Sequence, residues 1–329
     1  MSTRYRLFLA VSPGLEDLLR EELGDLGVPL SSMTPCEGGV EVLATSEVLW
    51  TLAIRVRLAE SIRVRIGQFK ARRFEQLEAG LAKLPWHAYL PAGSSPRISA
   101  TCRKSRLYHS GAVEERTAAA IASRWQGRTG AKMEGDAHTA PSPVHVRIER
   151  DQVQVSVNAS GDLLHRRGYR TSIGKAPIRE TLAAACIRAA SLDRDTTVWD
   201  PFCGSGTLAI EWLAAADRRP TWLPGRRYGF ESWPTHDAAA YGAFIENLPA
   251  TPSSNASAIG SDIDGKEIEA ARSNAAAAGV GERITWHQGD FEAVLAHIPE
   301  GAVVLTNLPY GKRTNQRQLN DTIARLGAL

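Results

Sequence analysis

The stretch Val198-Trp199-Asp200-Pro201-Phe202-Cys203-Gly204-Ser205-Gly206 decides the fold. Residues 197–202 read as a buried strand that runs into a glycine turn, and residues 206–216 read as the helix after it. Glycine lets a backbone approach a ligand closely, and a helix N-terminus offers free N–H groups. Ligands of such sheets lie beyond the carboxyl ends of the strands. The spacing Gly204-x-Gly206-x-x-Ala209 is a weak signal alone, because dinucleotide enzymes share it. Those enzymes carry an acid about 20 residues further on, at the end of the second strand. Here the acid is Asp262, 56 residues after Gly206, so nicotinamide redox chemistry fits poorly.

Working outward, helix and strand alternate from about residue 171, the pattern of a parallel sheet with helices on both faces. Residues 178–191 read as an apolar helix, 258–263 as a strand, 265–278 as a helix, 284–288 as a strand, 291–297 as a helix and 302–306 as a strand. An irregular insert rich in Pro and Trp separates residues 217–256 from this pattern.

Three acids end three successive strands: Asp200, Asp262 in Gly-Ser-Asp-Ile-Asp, and Asp290 in Gly-Asp-Phe. Each could merely cap the helix that follows. Together they match the polar needs of S-adenosylmethionine: Asp200 for an amino group, Asp262 for ribose hydroxyls and Asp290 for an adenine amine. Phe291 would lie beside the ring, and Phe202, Gly204, Gly206 and Ile263 complete the expected cofactor wall. The fourth strand ends in Thr306-Asn307-Leu308-Pro309-Tyr310-Gly311. Asn307 and a carbonyl of this turn can accept hydrogen bonds from a planar exocyclic amine, and Tyr310 can stack on a base. Asn307, Pro309 and Tyr310 are therefore the candidate catalytic residues, acting by positioning and electrostatics rather than as a strong base.

Upstream lie two smaller α/β units. Tyr5, Leu7 and Leu9 alternate with polar neighbours, Ser12-Pro13 opens a helix striped by leucines, and Val40 and Val42 start a short strand. Ile62, Val64 and Ile66 alternate with Arg63 and Arg65, giving a strand with one apolar and one basic face. A helix at 74–84, a strand at 97–102, a helix carrying Val113, Thr117, Ile121 and Trp125, and a hairpin of Val144–Ile148 and Val153–Val157 complete this part.

The charge is uneven. Residues 1–175 carry 25 Lys/Arg against 18 Asp/Glu, whereas residues 176–329 carry 14 against 18. The basic half permits a polyanionic partner without proving one. Four scattered cysteines form no C-x-x-C pair, which argues against a zinc site or disulfide framework and suits a reducing cytoplasm. No apolar run approaches the roughly 18 residues of a membrane span, and no signal-peptide pattern opens the chain. Neither a metal nor a membrane is expected.

These features together resemble the THUMP-domain RNA methyltransferases, especially the bacterial type that makes N2-methylguanosine in large-subunit rRNA. The resemblance is carried by Thr101–His109, Leu164–Arg170, Ala176–Leu182, Asp200–Gly206, Tyr228–Pro234 and Asn307–Gly311, and covers essentially the whole chain. It implies a ferredoxin-like segment at 1–45, an RNA-binding THUMP domain at 46–158, a linker at 159–176 and a Rossmann-type methyltransferase domain at 177–329. It also implies that the helix carrying Thr181 helps hold the methionine end of the cofactor. Arg103, Lys104 and Arg106 form one candidate RNA contact, and Arg166, Arg167 and Arg170 the other.

Two departures matter. Many rRNA relatives have Asn-Pro-Pro-Tyr, whereas Leu308 stands in the second place here, as in relatives that modify tRNA. Family catalytic domains also continue for three more strands, while 23 residues follow position 306, so the sheet is expected to be short and incomplete. The leading expectation is a guanine-N2 methyltransferase acting on 23S rRNA. The alternatives are the same chemistry on tRNA, an inactive RNA-binding protein, and an amine methyltransferase acting on DNA adenine.

Overall fold

The computed structural model describes residues 4–125, 142–171, 177–221, 225–308 and 316–328. They fall into two compact units, Met1–Arg166 with Pro224–Ala250, and Arg167–Leu223 with Thr251–Leu329.

The first unit is a seven-stranded sheet. In chain order it contains β1 (Tyr5–Ala10), α1 (Glu16–Asp25), β2 (Met33–Cys36), β3 (Gly39–Ala44), α2 (Ser46–Arg55), β4 (Ser61–Lys70), α3 (Phe74–Leu81), α4 (Trp86–Tyr89), β5 (Ile98–Arg103), α5 (Ser110–Trp125), β6 (Val144–Glu149) and β7 (Gln152–Asn158). The strand order is β2-β3-β1-β4-β7-β6-β5. One sheet thus runs through both segments that the sequence places in separate units, because β1 pairs with β3 on one side and β4 on the other. The β6–β7 hairpin turns on Arg150 and Asp151, both at positive φ (49° and 62°), the twist-matched two-residue turn. Period-two alternation buries Leu7, Leu9, Ile62, Val64, Val144, Val146, Val153 and Val155 on one face, each no more than 1% exposed. Burying a Val, Leu or Ile contributes roughly 1.5–3 kcal/mol, so this face is the unit's main source of stability.

The second unit begins with α6 (Glu180–Ala190), β8 (Thr197–Asp200) and α7 (Thr207–Ala216). The insert then leaves it: residues 225–250, including α8 (Ala238–Glu246), belong to the first unit. Aromatic packing explains this. Trp233 lies against Tyr5 and Tyr89, and Tyr241 and Phe244 lie against Trp50. The chain returns with β9 (Ser257–Asp262), α9 (Gly265–Ala277), β10 (Ile284–Gln288), α10 (Phe291–Val294), β11 (Val303–Val304) and α11 (Gln316–Leu326). All four strands are parallel, in the order β10-β9-β8-β11. Successive strands step outward from β8 to β10, and β11 then returns to β8's other side. The switch point therefore lies between β8 and β11, and ligands of such sheets bind beyond the carboxyl ends of the strands at that point. Alanines at 209, 258, 271 and 275, at most 1% exposed, let α7 and α9 sit close on one face of the sheet. Trp199, Ile259 and Phe291 pack on the other.

Candidate active site

The turn after β8 is fixed from three sides. Trp199 Nε1 donates to Ser261 Oγ at 3.1 Å, and the Cys203 N–H donates to the Ser261 carbonyl at 2.9 Å. The Gly204 N–H donates to Asp262 Oδ2 at 3.0 Å, while Asp262 Oδ1 accepts from the Asp264 N–H at 2.9 Å. Asn274 Nδ2 holds the Ser205 carbonyl at 3.1 Å from α9. Gly206 has φ +83°, and a Cβ there would stand 2.7 Å from the Trp286 ring and 3.1 Å from Ala271 Cβ. Gly260 makes room for the same indole, since a Cβ there would stand 2.4 Å from it. Trp286 therefore forms the turn's back wall, and two glycines make space for it.

Asp200 closes the strand inside the protein, only 2% exposed. Its Oδ1 accepts from the Phe202 N–H at 3.2 Å and from Thr306 Oγ1 at 2.6 Å. Among the described residues no hydrogen bond reaches its second oxygen. Burial pushes its carboxyl up to about 7, and the negative Asp262 nearby adds to the rise. The Leu305 N–H donates to the Trp199 carbonyl at 2.9 Å, which extends the β8–β11 ladder beyond the two strand residues. One residue later Thr306 grips Asp200, so half-buried Asn307 leaves the sheet beside that carboxyl. Pro309 and Tyr310 lie outside the described residues.

The other candidates take varied positions. Arg170 donates to Thr207 Oγ1 at 2.9 Å and pairs with Glu180 at 3.2 Å, tying the first turns of α6 and α7 together. Thr181, next to Glu180, is 2% exposed, and its Oγ1 is buried without a hydrogen-bond partner. Ile263 is 74% exposed. Asp290 caps α10 through the Glu292 N–H at 3.0 Å and also pairs with Arg325 at 3.0 Å. Phe291 is sunk into the core with its ring 5.4 Å from Phe202, and the Arg325 guanidinium lies 4.7 Å above it. Arg325, Thr306 and Trp286 were not singled out in the sequence. Only Thr306 carried a usable signal there, its place directly before Asn307.

Arg103, Lys104, Arg106 and Arg166 are exposed, and Arg103 pairs with Glu37 at 3.3 Å. Arg167 and Arg170 correct the expectation of RNA contact. Arg167 is 3% exposed and faces Glu211 at 3.5 Å, and Tyr169 Oη also donates to Glu211, at 3.2 Å. A guanidinium sealed beside a buried carboxylate cannot reach a phosphate, and Arg170 is committed between two helices. Arg167→Ala should leave Glu211 with one buried cation fewer and cost about 3–5 kcal/mol of stability. Replacing Arg167 by Met and Glu211 by Gln together should recover much of that loss, as denaturant unfolding of the two variants would show.

Among the described residues no group of three or more His, Cys, Asp or Glu side chains is placed to hold a metal. No described helix is long and apolar enough to cross a membrane.

Comparison with known proteins adds to this geometry. A family described as RMKL-like, methyltransferase domain (UPF0020), matches residues 167–326, and the THUMP domain family matches residues 71–158. The chain is 32% identical to a ribosomal RNA large subunit methyltransferase K/L of Syntrophotalea carbinolica, over 99% of this chain and 47% of that protein. It thus spans about half the length of that relative. The structure of SMU.472, described as a methyltransferase candidate and solved with SAH, superposes with a TM-score of 0.84 at 26% identity, covering 98% of this chain and 85% of the other. A Listeria monocytogenes protein, described as a predicted N6-adenine-specific DNA methylase, gives a TM-score of 0.83 at 28% identity, covering 98% and 84%.

Proposed function

We propose that this chain, which belongs to the family joining a THUMP domain to an RMKL-like methyltransferase domain, methylates guanine N2 in large-subunit rRNA with S-adenosylmethionine. The observation that carries this reading is the Thr306–Asp200 hydrogen bond at the switch point. It ties the carboxyl of a cofactor turn to the residue that precedes the base-binding turn.

The residues fit the cofactor. An Asp200 oxygen left open and an unpartnered buried Thr181 hydroxyl are what a ligand with an amino-acid end requires. SMU.472, similar over nearly the whole chain, was solved with SAH. When bound, S-adenosylmethionine supplies a methyl group activated on sulfur. Asp200 would receive the ammonium on its open oxygen, Thr181 would help hold the methionine end, and Asp262 has lone pairs left that would take ribose hydroxyls. Asn307 Oδ1 accepts an N–H of the target amine, which draws the nitrogen lone pair out of ring conjugation and towards the methyl. The proton shed by the methylated amine would pass to solvent, with Asn307 acting only as acceptor and not as base. Guanine must be unpaired or flipped to present its amine in this way.

Asp200 gives a pH signature with two opposite signs. Its folded pKa of about 7 lies above the ordinary 3.8, so folding takes up a proton between those values. Stability of the unliganded chain should fall as pH rises from about 4 through 7, and Asp200→Asn should remove that slope. Cofactor affinity should rise over the upper part of the same range, as the carboxylate that receives the ammonium forms. Calorimetric titrations at pH 6, 7 and 8 would read it, and an affinity independent of pH would remove Asp200 from that role.

Leu308 favours a second reading, guanine-N2 methylation of tRNA. Labelled S-adenosylmethionine offered with unmodified 23S rRNA, tRNA and DNA separates the substrates. Label in N2-methylguanosine from 23S rRNA is expected. Label in tRNA selects the second reading, and label in DNA N6-methyladenine overturns both.

A further inference from the structure

The adenine end of the proposed cofactor site falls on the turn after β10, where Asp290 opens α10. Its carboxylate is held on one oxygen only. Oδ1 accepts from the Glu292 N–H at 3.0 Å and from Arg325 Nη2 at 3.0 Å. Among the described residues no hydrogen bond reaches Oδ2. The bond from Glu292 is an ordinary helix cap and explains half of this arrangement. The other half comes from α11, 35 residues further along the chain.

Arg325 grips two acids with one edge of its guanidinium. Nη2 takes Asp290, and Nε takes Glu292 Oε1 at 2.6 Å. The bond from Arg325 holds the Glu292 carboxyl below its usual range. The same guanidinium lies 4.7 Å from the centre of the Phe291 ring, and Leu326 beside it packs on the cluster of Trp199, Ile259 and Phe291. Phe291 is only 3% exposed, whereas the Arg325 side chain is 43% exposed and that of Asp290 46%. The surface offered to a ligand here is therefore the guanidinium, not the phenyl ring that the sequence suggests. Ion pairs this exposed add little stability, so stability does not account for an arginine that meets two acids and a ring at once.

We propose that Arg325 is a positioning residue for adenine recognition, holding Asp290 with Oδ1 occupied and Oδ2 open so that the site selects a purine with an amino group at C6. This deepens, and rests on, the reading of the Asp200–Gly206 turn as an S-adenosylmethionine site. A carboxylate only accepts hydrogen bonds. A 6-amino purine donates to it, whereas a 6-oxo purine sets a carbonyl oxygen against it. The mismatch is costly only where no water bridges the two acceptors. The guanidinium fills the side of Asp290 from which such a water would enter. Its planar fork spans both acids, which the single point charge of lysine does not.

Calorimetric titration of the full chain with S-adenosylhomocysteine and with S-inosylhomocysteine, which carries oxygen in place of the amino group, reads this without turnover. The unaltered chain should prefer the adenine compound by about 10²-fold, the size expected of a hydrogen bond to a charged group. In Arg325→Gln the preference should shrink by about tenfold, and Arg325→Lys should recover little of it. Exposed Arg317→Gln, on the same helix, removes one cation and should leave the preference intact. Melting temperatures check that each variant is folded. A merely structural role for α11 would lower both affinities equally in Arg325→Gln. That unchanged ratio, or a ratio that rises, would overturn the proposal. An unaltered chain that binds both compounds equally would overturn it too, while keeping the cofactor site. An unaltered chain that binds neither would overturn the cofactor reading and this proposal with it.

Discussion

Asn307→Ala is expected to lower methyl transfer by about 10²–10³-fold, the usual loss when one preorganised hydrogen-bonding group at the reacting centre is removed. Affinity for S-adenosylmethionine should be nearly unchanged. The reason lies in how the segment is anchored. Leu305 is held by the Trp199 carbonyl and Thr306 by Asp200, so the chain reaches Asn307 on a path that does not depend on the asparagine side chain. Truncation then removes the acceptor for the target amine and little else. Single-turnover transfer and calorimetric cofactor binding, measured on the same preparation, check both halves. Loss of cofactor binding in Asn307→Ala would show that the side chain supports the cofactor rather than the base.

Gly206→Ala should be as damaging by a different route. A side chain at φ +83° costs about 1–3 kcal/mol, and its Cβ would stand 2.7 Å from Trp286. That indole is only 7% exposed and already packed against Gly260, so it has nowhere to go. Overpacking adds about 1–3 kcal/mol. The turn itself must shift, and a displacement of about 1 Å at a reacting centre can cost 10²-fold. Cofactor affinity should fall by about that factor and the unfolding midpoint should drop. Gly204→Ala is the matched control: φ is +49°, but the nearest atom to a new Cβ is Glu267 Oε2 at 4.0 Å, so only the backbone term remains. Equal losses in the two variants would mean that Trp286 is not the wall described above.

The parallel sheet was legible because its signals are local. β10 occupies the expected residues 284–288, and α7 and α9 start and end within a residue of expectation, since apolar runs between glycine turns mark both. The seven-stranded sheet was not legible as one body. β1 is flanked by β3 and β4, and nothing in the period-two pattern of any strand names its neighbours. The insert was visible as a Pro- and Trp-rich break, but the aromatic partners that hold it, Tyr5, Trp50 and Tyr89, lie about 150 or more residues earlier in the chain.

The site was legible to a similar depth. The three strand-ending acids stand out in the sequence, yet only contacts separate their surroundings: Asp200 is buried, Asp262 braces the turn, and Asp290 caps a helix and pairs with Arg325. The run His165-Arg166-Arg167-Gly168-Tyr169-Arg170 reads as a basic patch, because sequence does not distinguish a solvated arginine from one matched to an internal acid. The available clue was elsewhere, in Glu180 and Glu211, lone acids in two apolar helices, each of which needed a cation.

The most direct test of the central claim, that the Asp200–Gly206 turn is an S-adenosylmethionine site, is calorimetric titration of the unaltered chain with S-adenosylhomocysteine. One equivalent bound, with affinity lost in Gly206→Ala and kept in Asn307→Ala, is the predicted result. A folded chain that binds none, or whose binding ignores Gly206→Ala, would contradict it.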